Sequence, residues 1–186
     1  METSIIVSGF GGQGTLFAGQ VLAYAALDAG KNVTWIPSYG PEMRGGTAHC
    51  TVIVSDEEIG SPIVRKPTIA IALNLPSLDK YENKILSGGL LIANTSLINR
   101  KVERKDITTL HIPVNNIAEK IGNVRLANMV AVGAMVTARP ILSLEEIESA
   151  LEEHLPERHK KLIPANFEAL RQGAALASKL LTDVPA

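Results

Sequence analysis

Cysteine is nearly absent: Cys50 is the only one in 186 residues. One thiol excludes an internal disulfide framework. It also excludes any iron–sulfur cluster or thiolate metal site made by this chain alone. An excess of either charge is missing too. The formal net charge is −1, which leaves no electrostatic footprint for nucleic acid or an anionic membrane. No apolar run approaches the ~18–20 residues that span a bilayer. The opening Met1-Glu2-Thr3-Ser4 carries no basic region and does not read as a signal peptide. His49, His111, His154 and His159 lack metal-ligand spacing and are expected to be structural or exposed. A serine nucleophile elbow, paired catalytic carboxylates and a P-loop lysine are likewise missing, so no complete active site is visible. These absences leave a cytoplasmic globular protein without nucleic-acid or membrane partners. Its 186 residues suffice for one domain, taken as 1–186, and 46% hydrophobic content is ordinary for such a core.

What the chain does have is glycine, concentrated at one place. Residues 4–15 read Ser-Ile-Ile-Val-Ser-Gly-Phe-Gly-Gly-Gln-Gly-Thr. The apolar run Ile5–Val7 leads into Gly9, Gly11, Gly12 and Gly14. An alanine- and leucine-rich segment from Gly14 to Ala29 follows, with Gly30 as its stop. Strand, glycine turn and helix together present bare backbone N–H groups to a phosphate.

Further strands are expected at Val33–Pro37, Thr47–Ser55, Thr68–Leu73, Gly89–Ala93 and Thr108–Ile112. In the second of these, Ala48, Cys50, Val52 and Val54 alternate with His49, Thr51 and Ile53. The first helix and its two flanking strands would make a βαβ unit if those strands are parallel. Leu16, Val21, Leu22, Ala25 and Leu27 give that helix a broad apolar surface. Short helices are expected over Pro76–Lys84 and Ile117–Ile121, and Asn99–Asp106 reads as a charged surface excursion. The last third is helical. Leu126–Ala138 is apolar except for Asn128 and Thr137, so it is expected in the core or, less favoured, at an interface with another chain. Ser143-x-x-Glu146 is a capping box, and Pro164 opens the final helix. Strands alternating with helices and few aromatics point to an α/β fold. It is expected to be three-layered and Rossmann-like, with a mostly parallel sheet and a helical C-terminal third.

In such a sheet, ligands bind along the edge where the strands end. The residues just past the strands are Gly9, Ser38, Asn74, Asn94 and Asn115, types that turn chemistry explains as readily as ligand binding. Gly9-x-Gly11-x-x-Gly14 formally matches the dinucleotide fingerprint. The second strand, however, lacks the carboxylate that binds a ribose hydroxyl: Asp28 comes too early and Glu42 too late. NAD or FAD binding of the usual kind is disfavoured. A backbone site for some other diphosphate and a turn that only packs strand on helix both stay open. The segment Ser38-Tyr39-Gly40-Pro41-Glu42-Met43-Arg44-Gly45-Gly46 is too irregular for a mere connection. Arg44 could grip a phosphate or carboxylate, pair with Glu42, or reach a partner. Tyr39 could stack on a ring or pack on a neighbouring chain.

Gly9–Gly14 together with Pro-Ser-Tyr-Gly-Pro-Glu-Met-Arg-Gly-Gly-Thr-Ala at 37–48 resembles the gamma subunit of 2-oxoacid:ferredoxin oxidoreductases. The form is nearest the 2-oxoglutarate and 2-oxoisovalerate branch, and the resemblance covers about residues 3–180. It implies a non-catalytic or partly catalytic subunit, inactive alone, of an enzyme that converts a 2-oxoacid to an acyl-CoA and reduces ferredoxin. Thiamine diphosphate and iron–sulfur clusters would then sit on alpha, beta and ferredoxin-like delta subunits, not on this chain. The resemblance assigns Gly9, Gly11, Gly12, Gln13, Gly14 and Thr15 to the shared coenzyme A region. It makes Ser38, Tyr39, Gly40, Glu42, Arg44 and Gly45 a partner-facing or active-site loop, with no metal ligand and no catalytic residue on this chain. The competing expectations are a stand-alone Rossmann-like nucleotide-binding or regulatory protein and, less favoured, a complete NAD-dependent enzyme.

Overall fold

The computed structural model describes residues 1–38 and 47–183. One sheet is built from β1 (Glu2–Gly9), β2 (Asn32–Ser38), β3 (Ala48–Ser55), β4 (Ile69–Ala72), β5 (Leu90–Asn94) and β6 (Thr108–Ile112), in the order β2-β3-β1-β4-β5-β6. The helices are α1 (Thr15–Asp28), α2 (Leu75–Tyr81), α3 (Val114–Ile121), α4 (Ala127–Ala138), α5 (Leu144–His154) and α6 (Ile163–Thr182). β1, β4, β5 and β6 run parallel, while β3 is antiparallel to both β1 and β2. The α/β, Rossmann-like expectation holds, and among the described residues no helix is long and apolar enough to cross a membrane.

The simple βαβ unit does not hold. β1 and β2 point the same way, but β3 lies between them. The sequence carries the reason in Pro37, which has no N–H to donate and therefore suits a strand at the sheet edge. β3, with Cys50, Val52 and Val54 buried on one face and Ile53 on the other, suits an interior position.

Strand residues alternate between two cores. Ile5, Val7, Ile69, Ile71, Leu90 and Ile92 face the larger one, under α1 and α3–α6. Ile6, Ala70, Ala72, Leu91 and Ala93 face a smaller one, with Leu78 and Tyr81 of α2. α4 is buried over nearly its whole length, as its composition requires. It crosses α6 very closely: a Cβ on Gly133 would lie 2.0 Å from the Leu170 carbonyl oxygen, and one on Gly173 2.0 Å from that of Val130. α1 ends at a glycine with φ +74°, Gly30, as expected, but Leu27 turns outward and is 59% exposed. The capping box on α5 is complete: Ser143 Oγ accepts from Glu146 N at 3.1 Å, and Glu146 Oε2 accepts from Ser143 N at 2.7 Å.

The charged stretch 99–106 is pinned rather than free. Glu82, in the 3₁₀ turn after α2, is buried and accepts from the backbone N–H of Glu103 and Arg104 (3.1 Å for the latter). Arg100 pairs with the same carboxylate at 2.7 Å. Burial alone would raise the Glu82 carboxyl, but Arg100 and the two backbone donors outweigh it and hold it below its ordinary value. Because the folded value is depressed, this stabilisation is present above the unfolded pKa of about 4.3 and is lost as pH falls through the folded value. Glu82→Gln is expected to lower stability by roughly 1–3 kcal/mol at neutral pH. In urea titrations the gap to the parent protein should narrow as pH falls below about 4; a gap that does not change with pH would contradict the assignment.

Candidate functional site

Five strands deliver their carboxyl ends to one edge, and the glycine loop sits there. Gly9 pairs with Ala48 and Ser38 with His49, so both ends of the 39–46 segment, Ser38 and Thr47, emerge beside the loop. Tyr39, Gly40, Glu42, Arg44 and Gly45 themselves lie outside the described residues.

The glycines have distinct duties. Gly9 allows close packing: a Cβ there would meet Gln13 Oε1 at 2.6 Å and Leu73 Cβ at 3.0 Å. Gly14 opens α1 with φ +72°, and a Cβ there would lie 2.4 Å from Asn128 Nδ2. Gly12 is different, because its φ is +91° yet nothing lies within 4 Å of where a Cβ would be. The turn therefore bends at Gly12 with its outer side open. Gly11 is exposed as well. No side chain caps α1. Its first-turn N–H groups are the kind that a helix start leaves for water or an anion.

Gln13 braces the turn. Its Oε1 accepts from Phe10 N at 2.6 Å and from Asn74 Nδ2 at 3.3 Å, while its Nε2 donates to Leu73 O at 3.3 Å. Asn94 Nδ2 donates to the same Leu73 carbonyl at 2.8 Å and to Asn115 Oδ1 at 2.7 Å. Asn74 Oδ1 also caps α2 by accepting from Ser77 N at 2.9 Å. A continuous run of amides thus crosses the edge from β1 to the start of α3. The asparagines are turn and cap residues, and they also tie the loop to its neighbours. Thr15 is buried, and its carbonyl accepts from Cys50 Sγ at 3.2 Å. Burial pushes the Cys50 thiol up to about 11, despite opposing hydrogen bonds from Trp35, Gly19 and Val7. It is a core residue and no nucleophile at neutral pH.

A cavity of about 420 Å³ opens from Gly12 and Gly14, between Phe17 of α1, Asn123, Arg125 and Asn128 before and on α4, and His159 and Asn166 before and on α6. Arg125 is exposed and forms no ion pair among the described residues. Asn128 is buried, with Nδ2 donating to Gly14 O at 3.0 Å. In the sequence Asn128 is only a polar exception in an apolar helix. That exception is the one signal of its part in the site, because the contact spans 114 residues. Arg125 and His159 carry no such signal. A positive side chain beside an uncapped helix start and an open glycine turn is a fit for a diphosphate.

Comparison with known proteins gives one consistent result. Residues 4–176 match the family described as pyruvate ferredoxin/flavodoxin oxidoreductase. The 2-oxoglutarate synthase subunit KorC of Methanocaldococcus jannaschii is 37% identical, over 97% of this chain and 96% of the relative. The ketoisovalerate oxidoreductase subunit VorA of Methanothermobacter thermautotrophicus is 36% identical over 95% of this chain, which spans only 36% of that relative's length. The gamma subunit of a keto/oxoacid ferredoxin oxidoreductase from Geobacter sulfurreducens has the same fold, with a TM-score of 0.82 and 32% identity over 95% of this chain and 99% of that one.

Proposed function

This chain belongs to the pyruvate ferredoxin/flavodoxin oxidoreductase family, and we propose that it acts as a single gamma-type domain in an enzyme that decarboxylates 2-oxoglutarate or a branched-chain 2-oxoacid oxidatively. The 2-oxoacid and coenzyme A yield carbon dioxide and the acyl-CoA, and two electrons pass to ferredoxin. The chain's share is one wall of the coenzyme A region. The observation that carries this reading is the open turn at Gly12 on the uncapped start of α1, facing a cavity that holds Arg125 and His159. The names of the relatives, a 2-oxoglutarate synthase subunit and a ketoisovalerate oxidoreductase subunit, support the reaction class. Thiamine diphosphate and the iron–sulfur clusters belong, on this reading, to alpha, beta and delta partners.

The segment 38–46 is proposed as a contact with the thiamine-carrying subunits. Its ends are held at the sheet edge beside the glycine loop. A tagged copy of this chain should co-purify with larger subunits that carry thiamine diphosphate and iron–sulfur absorbance. The complex, and not the lone chain, should oxidise a 2-oxoacid in the presence of coenzyme A. Arg44→Ala should weaken co-purification or lower kcat. A chain that purifies alone from its source, with no 2-oxoacid oxidation in any fraction containing it, would favour a stand-alone nucleotide-binding protein. Wild-type assembly and turnover in Arg44→Ala would make 38–46 a surface turn.

A further inference from the structure

The far end of α1 holds a cluster that the glycine loop does not use. Asp28 closes α1, and Glu153 and His154 close α5. One nitrogen of His154 and one oxygen from each carboxylate all lie within 4.8 Å of one another. At 1.5 Å per residue, α1 sets this cluster roughly 20 Å from the glycine turn. Asp28 and His154 stand 126 positions apart, so no local spacing in the sequence announces the pair.

The imidazole is held in place. Its Nε2 is 2.8 Å from Asp28 Oδ2. The Tyr24 ring lies against it, 8° from parallel, with centroids 4.1 Å apart. Stacking restricts the ring and keeps Nε2 turned towards α1.

The charge at this place is unbalanced. The C-terminal end of a helix carries roughly half a negative charge, and carboxylates there are unfavourable. Two such ends meet here. α1 has no basic residue in its last turn and finishes on an aspartate, while α5 finishes on Glu152, Glu153 and His154. Asp28, Glu152 and Glu153 meet no lysine or arginine at ion-pair distance among the described residues. Lys31, three positions past Asp28, is engaged by Asp56 at 2.8 Å.

An imidazole nitrogen with two carboxylate oxygens is a donor set for zinc and its neighbours in the first transition series, whereas Mg²⁺ and Ca²⁺ favour oxygen alone. Ligand atoms roughly 2.1 Å from a tetrahedral ion lie roughly 3.4 Å from one another. Both carboxylates are exposed and can rotate to meet that spacing.

We propose that Asp28, Glu153 and His154 bind a divalent transition-metal ion of the zinc type, with water completing its coordination. The ion clamps the end of α1 to the end of α5. The site needs neither the glycine loop nor a partner subunit, so it stands or falls apart from the coenzyme A reading.

The test titrates the full-length chain, first stripped of metal by a chelator, with zinc chloride in a calorimeter. One equivalent per chain should bind, and magnesium chloride should bind far more weakly. Asp28→Asn and His154→Ala should each weaken zinc binding by at least the roughly tenfold that losing a second-shell partner already costs. His111→Ala, at an exposed histidine on β6, should leave it unchanged. Zinc should also raise the thermal midpoint of the parent and not that of Asp28→Asn. Absence of zinc binding to the parent overturns the proposal and leaves an exposed ion pair. Binding that survives either Asp28→Asn or His154→Ala, or that His111→Ala weakens as much, places the ion elsewhere and overturns it too. Equal affinity for magnesium overturns the transition-metal class, and binding without a rise in the midpoint overturns the clamp.

Discussion

Replacing Gly133 with alanine is expected to lower folding stability by roughly 3 kcal/mol, at the upper end of what overpacking a core does. The added methyl would sit 2.0 Å from the Leu170 carbonyl oxygen and 2.7 Å from its carbon, and both are backbone atoms. No side chain can rotate out of the way. Either α4 or α6 must move, and α4 lies in the middle of the larger core, with its own Met129, Val130, Ala131 and Val132 buried there. Gly173→Ala should have a similar effect, since its methyl would meet the Val130 carbonyl at 2.0 Å. The double variant supplies the sharper test. One displacement of α6 from α4 relieves both clashes, so the two effects should fall short of additive. Urea midpoints of the parent, both single variants and the double variant measure this. Simple additivity would mean that each glycine acts locally and that the helix pair does not shift as a unit.

Gly12→Asp is expected to raise the KM for coenzyme A by tenfold or more in the assembled enzyme while leaving the 2-oxoacid KM alone. The substitution has two consequences that must be separated. Any side chain at φ +91° is strained, although nothing within 4 Å obstructs it. Aspartate in addition places a negative charge at the open side of the turn, near the uncapped start of α1. Gly12→Asn imposes a similar shape without the charge, and asparagine tolerates positive φ better than most residues. The ratio of the two KM values then reports repulsion of a bound anion. Two like charges about 5 Å apart, at an effective dielectric near 20, interact by roughly 3 kcal/mol, more than the ~1.4 kcal/mol that a tenfold change requires. Equal KM values for the aspartate and asparagine variants would show that no phosphate lies at this turn.

Much of the fold can be read in the sequence because local chemistry decides it. Gly30 ends α1, Ser143 and Glu146 start α5, and alternation over residues 48–52 marks β3. The insertion of β3 between β1 and β2 is harder to read, since long-range pairing depends on which strand can be buried on both faces. Pro37 hints at the answer by confining β2 to the edge. Leu27 shows the limit of composition: an apolar residue in an apolar helix can still face outward. The glycine turn stands out at once, because residues 9–14 are contiguous. Its surroundings do not. Asn128, Arg125 and His159 arrive from more than a hundred residues downstream, and their roles come from the packing of α4 and the turn before α6 against the start of α1.

The amide belt that floors this edge, Gln13, Asn74, Asn94 and Asn115, makes the edge indifferent to the acidity of the medium. Carboxamides neither gain nor lose protons across the range in which proteins work. The floor under the glycine loop therefore keeps one shape and one charge at every working pH, and contributes a constant to any pH–rate profile. Changing one of these amides should scale the profile without moving its inflections, and inflections that do appear belong to groups outside the belt.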